Sequence, residues 1–209
     1  TFWSFGGSWR ASKENFLKDT RWLSNLTFRT SYGAQGNDNI GNYYAYDPQY
    51  SIKNNLGENG LVTKRLATPG LKWETNLNLN IGLDFGIFRD RISGTVEYFS
   101  RRSKDLLFSK PMATSTGFTS IDANIGALKN TGIEVQINAI PVITPNFRWA
   151  VSLNATHYKN TITDLPQNNI ISGNKMLRIG GSIYDFYLRE WAGVDPANGN
   201  PLWYMTNTN

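Results

Sequence analysis

From Thr75 to Ile87 apolar and polar positions alternate without a break. Leu77, Leu79, Ile81, Leu83, Phe85 and Ile87 share one parity; Asn76, Asn78, Asn80, Gly82, Asp84 and Gly86 share the other. A period of two over this length predicts a β-strand with one apolar and one hydrated face. A second strand follows, with Ile92, Gly94, Val96 and Tyr98 alternating against Ser93, Thr95, Glu97 and Phe99. A two-residue loop at Arg89-Asp90 sets Ile87 opposite Ile92, Phe85 opposite Gly94, Leu83 opposite Val96 and Ile81 opposite Tyr98. A slip of one residue would turn every apolar side chain to the wrong face, so this register is well specified. Arg-Asp is not the favoured Asn-Gly turn chemistry.

The same pattern recurs along the chain. Thr1–Arg10 reads as the end of a strand. In Trp22–Gly33, Trp22, Leu26, Phe28 and Tyr32 lie on one face. Ile133, Val135, Ile137 and Ala139 alternate with Glu134, Gln136 and Asn138. After a turn at Pro141–Pro145, Phe147, Trp149, Val151, Leu153 and Ala155 alternate with polar or small residues. That turn sets Ala139 opposite Phe147, Ile137 opposite Trp149 and Val135 opposite Val151. Only Ser12–Leu17 resembles a helical turn, with Ser12 as its N-cap.

Connections alternate in length. Those near 11–21, 89–90 and 141–145 are short; those near 34–72, 108–129 and 160–209 are long and rich in Gly, Asn, Ser or Thr. All short turns therefore fall at one end of the sheet and all long loops at the other, as in outer-membrane barrels. Trp22, Phe88, Phe147 and Trp149 gather beside the short turns, like one girdle of an aromatic belt. Clean alternation over roughly 9–13 residues exceeds the usual soluble strand of about 5–6 and matches the ~9–11 of a tilted membrane strand. A soluble carbohydrate-binding β-sandwich module is the alternative, and alternation alone fits it too.

Composition narrows the chemistry. The 209 residues include no cysteine and one histidine, His157. That removes disulfides, thiolate metal sites and a Cys nucleophile, and leaves zinc little to work with. The net charge is +5, with Lys and Arg scattered, so no nucleic-acid tract is evident. No apolar run approaches the ~20 residues of a transmembrane helix, and a mean hydropathy of −0.41 is compatible with half-polar membrane strands. The 7 Trp, 10 Tyr and 11 Phe favour an all-β chain over long helices.

Several segments resemble SusC-like TonB-dependent outer-membrane transporters. Ser31-Tyr32-Gly33-Ala34-Gln35-Gly36-Asn37 is similar to their "SYG-x-x-GN" strand end. Pro69-Gly70-Leu71-Lys72-Trp73-Glu74-Thr75 is similar to "NPDLKWET", though Thr68 and Gly70 flank the proline where Asn and Asp are usual. Asn80-Ile81-Gly82-Leu83-Asp84-Phe85-Gly86 with Arg91-Ile92-Ser93-Gly94 resembles the "NIGLDFG…RISG" hairpin. Lys104-Asp105-Leu106-Leu107, Asn124-Ile125-Gly126, Asn130-Thr131-Gly132-Ile133-Glu134 and the run Trp191–Leu202 follow in family order. The resemblance implies an antiparallel up-and-down 22-stranded transmembrane β-barrel, occluded by an N-terminal plug. Such proteins import glycans or peptides across the outer membrane of Gram-negative bacteria, usually under a SusD-like surface lipoprotein, with energy from TonB acting on the plug. On this reading residues 1–209 are about six strands from the C-terminal half of the barrel, without plug, TonB box or terminal strands. Asn76, Asn78, Asn80, Asp84, Glu97, Glu134 and Gln136 would face the lumen and the apolar face would meet outer-membrane lipid. An adhesin or structural barrel without transport is a further rival.

Catalysis is not expected. Ser152, His157 and Asp164 have no triad spacing, and Ser152 and His157 have opposite strand parity. Asp84 and Glu97 form a carboxylate pair better read as lumen-facing charges than as acid–base machinery. Asp195-Pro196-Ala197-Asn198-Gly199-Asn200 lacks a full calcium-loop pattern and reads as an Asx-type turn. Neither metal nor cofactor is implied. Tyr43, Tyr44, Tyr46 and Tyr50 on one long loop, and Trp191, Trp203 and Tyr204 on another, are candidate substrate contacts, since aromatic rings offer apolar area at small entropic cost. Packing of these rings against other loops or the lipoprotein is the competing role.

Overall fold

The computed structural model describes residues 2–41 and 44–205. Its strands in chain order are β1 (Ser4–Trp9), β2 (Leu23–Asn37), β3 (Gln49–Asn55), β4 (Glu58–Arg65), β5 (Glu74–Ile87), β6 (Ile92–Lys104), β7 (Leu107–Pro111), β8 (Ser120–Asn124), β9 (Ala127–Thr144), β10 (Phe147–Asp164), β11 (Asn169–Ser172), β12 (Lys175–Arg178), β13 (Trp191–Val194) and β14 (Pro201–Trp203). One six-stranded sheet runs in the order β1-β2-β5-β6-β9-β10, every neighbour antiparallel. It is an open meander, with β1 and β10 as its edges. The remaining strands form the hairpins β3–β4, β7–β8, β11–β12 and β13–β14. These belong to the long connections, which are therefore structured where the sequence reads as irregular.

The β5–β6 register matches the expected one residue for residue, from Ile87↔Ile92 to Ile81↔Tyr98. The loop spans Phe88–Arg91, and Phe88, Arg89 and Asp90 all have positive φ. The β9–β10 register differs from expectation. Val151 lies opposite Ala139, Leu153 opposite Ile137 and Ala155 opposite Val135. β9 continues through Pro141 to Thr144, so the turn tightens to Pro145-Asn146. Pro141 is tolerated because the Ile140 N–H, donated to Arg91 O at 2.7 Å, ends the pairing with β6. At the same point the β9–β10 ladder has a bulge, with Ile140 and Pro141 opposite Ala150. The shift is even, so the faces survive. The expected helical turn is a 3₁₀ turn over Ala11–Lys13, whose N-cap is Arg10 rather than Ser12.

No second sheet covers the apolar face among the described residues. Ile81 is 49% exposed, Ile133 48%, Leu153 57% and Phe28 43%. A β-sandwich would bury these side chains, so that alternative is overturned. The exposed face is not uniform. The row Trp9–Phe28–Leu83–Val96–Val135–Ala155 crosses all six strands. The apolar stretch ends at Trp9 on β1 but continues to Phe147 on β10. This is a drop of roughly eight residues over about five strand steps, so the band crosses the strands at ~45°. Leu77 to Ile87 then rises roughly 23 Å across the band, close to the ~25 Å of a barrel's lipid-facing zone.

A candidate site on the polar face and at the loop bases

The register puts Asn76, Asn78, Asn80, Asp84, Glu97, Glu134 and Gln136 on one face of the sheet. Side-chain hydrogen bonds run across it from strand to strand. Asn78 Nδ2 donates to Gln35 Oε1 at 3.2 Å, Asn80 Nδ2 to Ser31 Oγ at 3.2 Å, and Ser103 Oγ to Asn76 Oδ1 at 2.5 Å. Ser152 Oγ donates to Asn138 Oδ1 at 2.8 Å and Asn160 Nδ2 to Asn130 Oδ1 at 2.6 Å. Arg101 and the Asn76–Asn78–Asn80 row line a trough of about 550 Å³.

A charged group lies lower on the same face. Arg29 Nε donates to Asp84 Oδ2 at 2.6 Å and Arg29 Nη2 to Asp84 Oδ1 at 3.1 Å. Thr95 Oγ1 donates to Asp84 Oδ1 at 2.9 Å, and Arg29 Nη2 lies 3.5 Å from Glu97 Oε2. The guanidinium reaches from β2 to β6 because Gly82 stands between Arg29 and Glu97. A Cβ on Gly82 would sit 3.1 Å from Arg29 Nη2. Asp84 and Glu97 are thus joined through one cation. Glu134 lies directly opposite Glu97 on β9, with no ion pair among the described residues. Ser152 and His157 point to opposite faces, so the residues considered for a triad do not converge.

Polar side chains also tie the first two long connections together, which the sequence did not reveal. Glu74 Oε1 accepts from the Leu107 N–H at 2.8 Å, and its Oε2 accepts from Asn37 Nδ2 at 2.8 Å. Asn124 Oδ1 accepts from the Lys72 N–H at 2.7 Å; its Nδ2 donates to Lys72 O at 2.6 Å and Asp105 O at 2.9 Å. Lys72 Nζ lies 3.0 Å from Asp105 Oδ1, and Arg65 of β4 pairs with Asp122 of β8. All of these residues except Arg65 and Asp122 belong to the motifs that carry the resemblance, so a signal existed, but nothing in it told which residue bonds which.

The loop aromatics divide into two groups. Tyr43 lies outside the described residues. Tyr46 lines a cavity of about 390 Å³ with Asp38, Leu71, Trp73 and Leu107. Tyr44 is exposed beside it in the chain. Trp191 and Trp203 face each other across β13–β14, edge to face at 5.3 Å. Trp203 and Tyr204 line a separate cavity of about 800 Å³ with Tyr187 and Leu188. The two cavities share no lining residue. Asp195 is the expected Asx turn: Oδ1 accepts from the Ala197 N–H at 2.9 Å and Oδ2 from Asn198 Nδ2 at 2.8 Å. Both carboxylate oxygens are thereby engaged within the loop.

Comparison with known proteins follows this geometry closely. The family described as "TonB dependent receptor-like, beta-barrel" matches residues 1–208. The TonB-dependent receptor SusC of Bacteroides thetaiotaomicron is 36% identical, over 97% of this chain and 22% of the relative. TonB-dependent receptor P3 of Formosa agariphila is 33% identical, over 90% of this chain and 20% of the relative. The structure of the RagAB peptide importer in its "closed-closed" state superposes with a TM-score of 0.88 at 30% identity, over 99% of this chain and 23% of that one. The chain thus spans roughly a fifth of the length of these relatives.

Proposed function

Because the chain belongs to the TonB-dependent receptor β-barrel family, we propose that it supplies part of the wall and extracellular loops of a TonB-dependent importer of glycans or peptides in a Gram-negative outer membrane. The single observation that carries the reading beyond family membership is the tilted apolar band. It is exposed, about as tall as a bilayer core and backed by a continuous polar face. Lipid offers no hydrogen-bond partners, and the inner strands β2, β5, β6 and β9 satisfy their backbone groups on both sides within the sheet's own ladders, leaving the edges β1 and β10 for further barrel strands. On this reading the polar face is the lumen wall. Asn76, Asn78 and Asn80 present hydrogen-bonding groups, and Asp84, Glu97 and Glu134 present charge to the plug or to passing solute. The structured loops form the vestibule. Tyr44, Tyr46, Trp191, Trp203 and Tyr204 offer ring faces to cargo or to a SusD-like lipoprotein.

The test is uptake by cells carrying the full receptor. Labelled glycan and peptide pools are offered to cells with the receptor, without it, and with the receptor but without TonB. The expected result is accumulation of one pool only when receptor and TonB are both present. Outer-membrane assembly with no uptake of either pool would leave a structural barrel and overturn the importer reading.

A further inference from the structure

The apolar face ends differently at its two edges. Beside the short turns it closes on Phe147 and Trp149 of β10, with Trp22 and Phe88 in the turns that adjoin Leu23 and Ile87, all four half exposed or more. At the long-loop edge it closes on cations. By register, Arg102 and Lys104 of β6, Lys129 of β9 and Lys159 of β10 all project from this face. Arg102 lies directly opposite Lys129, and like charges in that position repel. Among the described residues none of these side chains has an acidic or hydrogen-bonding partner. Glu74, Asp84, Glu97 and Glu134 lie on the other face. Asp164, past a bulge near the end of β10, shares the row of Ala127 and Lys104 two strands from Lys104, and it forms no ion pair with any of the cations among the described residues.

Their alignment is the telling feature. Lys104 is in the row Lys104–Ala127, Lys129 in the row below it, and Lys159 in the row below that. Each strand step therefore descends one row, roughly 6.6 Å along the strand per ~4.8 Å across. This slope is close to that of the apolar band's lower edge, so the line of charge runs nearly parallel to the band. In a membrane it would lie near a single depth, just beyond the hydrocarbon.

We infer that Arg102, Lys104, Lys129 and Lys159 form a docking strip for the phosphates of a phosphorylated outer-leaflet glycolipid whose acyl chains cover Ile133, Val135 and Leu153. The inference rests on the membrane reading above. A charge line facing lipid, at one bilayer edge and lacking internal counter-ions, is complementary to a layer of anionic headgroups. Arg102 adds a planar fork suited to bidentate phosphate contact.

The experiment uses the full receptor in phosphatidylcholine nanodiscs, titrated with diphosphoryl lipid A or with inorganic phosphate. Thermal unfolding of the assembled barrel is the readout. Lipid A is expected to raise the unfolding midpoint, more weakly at high salt, while inorganic phosphate does not. The variant R102Q/K129Q/K159Q is expected to assemble normally in plain phosphatidylcholine but to need roughly a hundredfold more lipid A, at about five-fold per basic residue. The control K110Q, on β7 outside the sheet, is expected to behave as wild type. Equal lipid A dependence in variant and wild type, or stabilisation by inorganic phosphate alone, would overturn the docking strip and leave the membrane reading standing. Failure of the wild type to insert in either nanodisc would overturn both.

Discussion

At the scale of single residues, the polar face turns on Arg29. Its guanidinium spans three strands because Gly82 leaves the path open. The Arg29 and Asp84 side chains are 44% and 27% exposed, so solvent screens the pair. Asp84→Asn, which removes the charge but keeps the volume, is expected to cost about 1 kcal/mol, read as a lowered urea midpoint of the full receptor. Glu134→Gln should be neutral or slightly stabilising, because it relieves repulsion from Glu97 across the β6–β9 pair. Equal losses at both positions would refute this division of roles. Parity placed Asp84, Glu97 and Glu134 on one face from sequence. Parity also set Arg29 on the polar side of its own strand but did not reveal its bridge to Asp84 and Glu97, because a side chain's reach past a glycine depends on a strand 55 residues away in the chain.

Among elements, the β5–β6 hairpin and the loop bases separate local from non-local information. The hairpin's register was legible because each face has its own chemistry and the two strands are adjacent in sequence. Its turn was not. Arg89 holds positive φ with a full side chain, and each such L-residue costs roughly 1–2 kcal/mol. Arg89→Gly should therefore raise stability by roughly 0.5–1 kcal/mol after glycine's entropic cost, with the midpoint of unfolding as the measure. The β9–β10 register departs from the one a turn at Pro141–Pro145 predicts, because Pro141 lies inside β9 and the turn begins only after Thr144. Only the structure shows that β6 stops pairing there and that a bulge absorbs the proline. Asn124 belongs to the same class of non-local facts. Asn124→Ala removes its bonds to Lys72 and Asp105, worth about 1 kcal/mol each. Protease cleavage within 49–65 or 107–124 should quicken, while heat-modifiable barrel migration on gels stays unchanged. Unchanged cleavage would argue that Asn124 does not hold these loops.

On the scale of the whole molecule, the medium around the sheet is the deciding quantity. Ile81 lies near the middle of the tilted band, with Asn80 beside it on the opposite face. Ile81→Arg should cost about 2–4 kcal/mol of outer-membrane folding stability, whereas Asn80→Arg should be mild. Equal tolerance in a vesicle-folding assay would remove the lipid-facing assignment. The sequence by itself determined the strands, their two faces, the short and long ends and the family resemblance. The strands of the main sheet, their faces and the short and long ends follow from a side-chain period of two and from turn spacing, and the resemblance rests on short sequence motifs; all are local properties. Only the tertiary structure decided the β9–β10 register, the folding of the long connections into latched hairpins, the Arg29 bridge and the slope of the apolar band with its line of cations. These depend on how far each strand slides against its neighbour, and that displacement comes from bulges, turn geometry and contacts between distant segments.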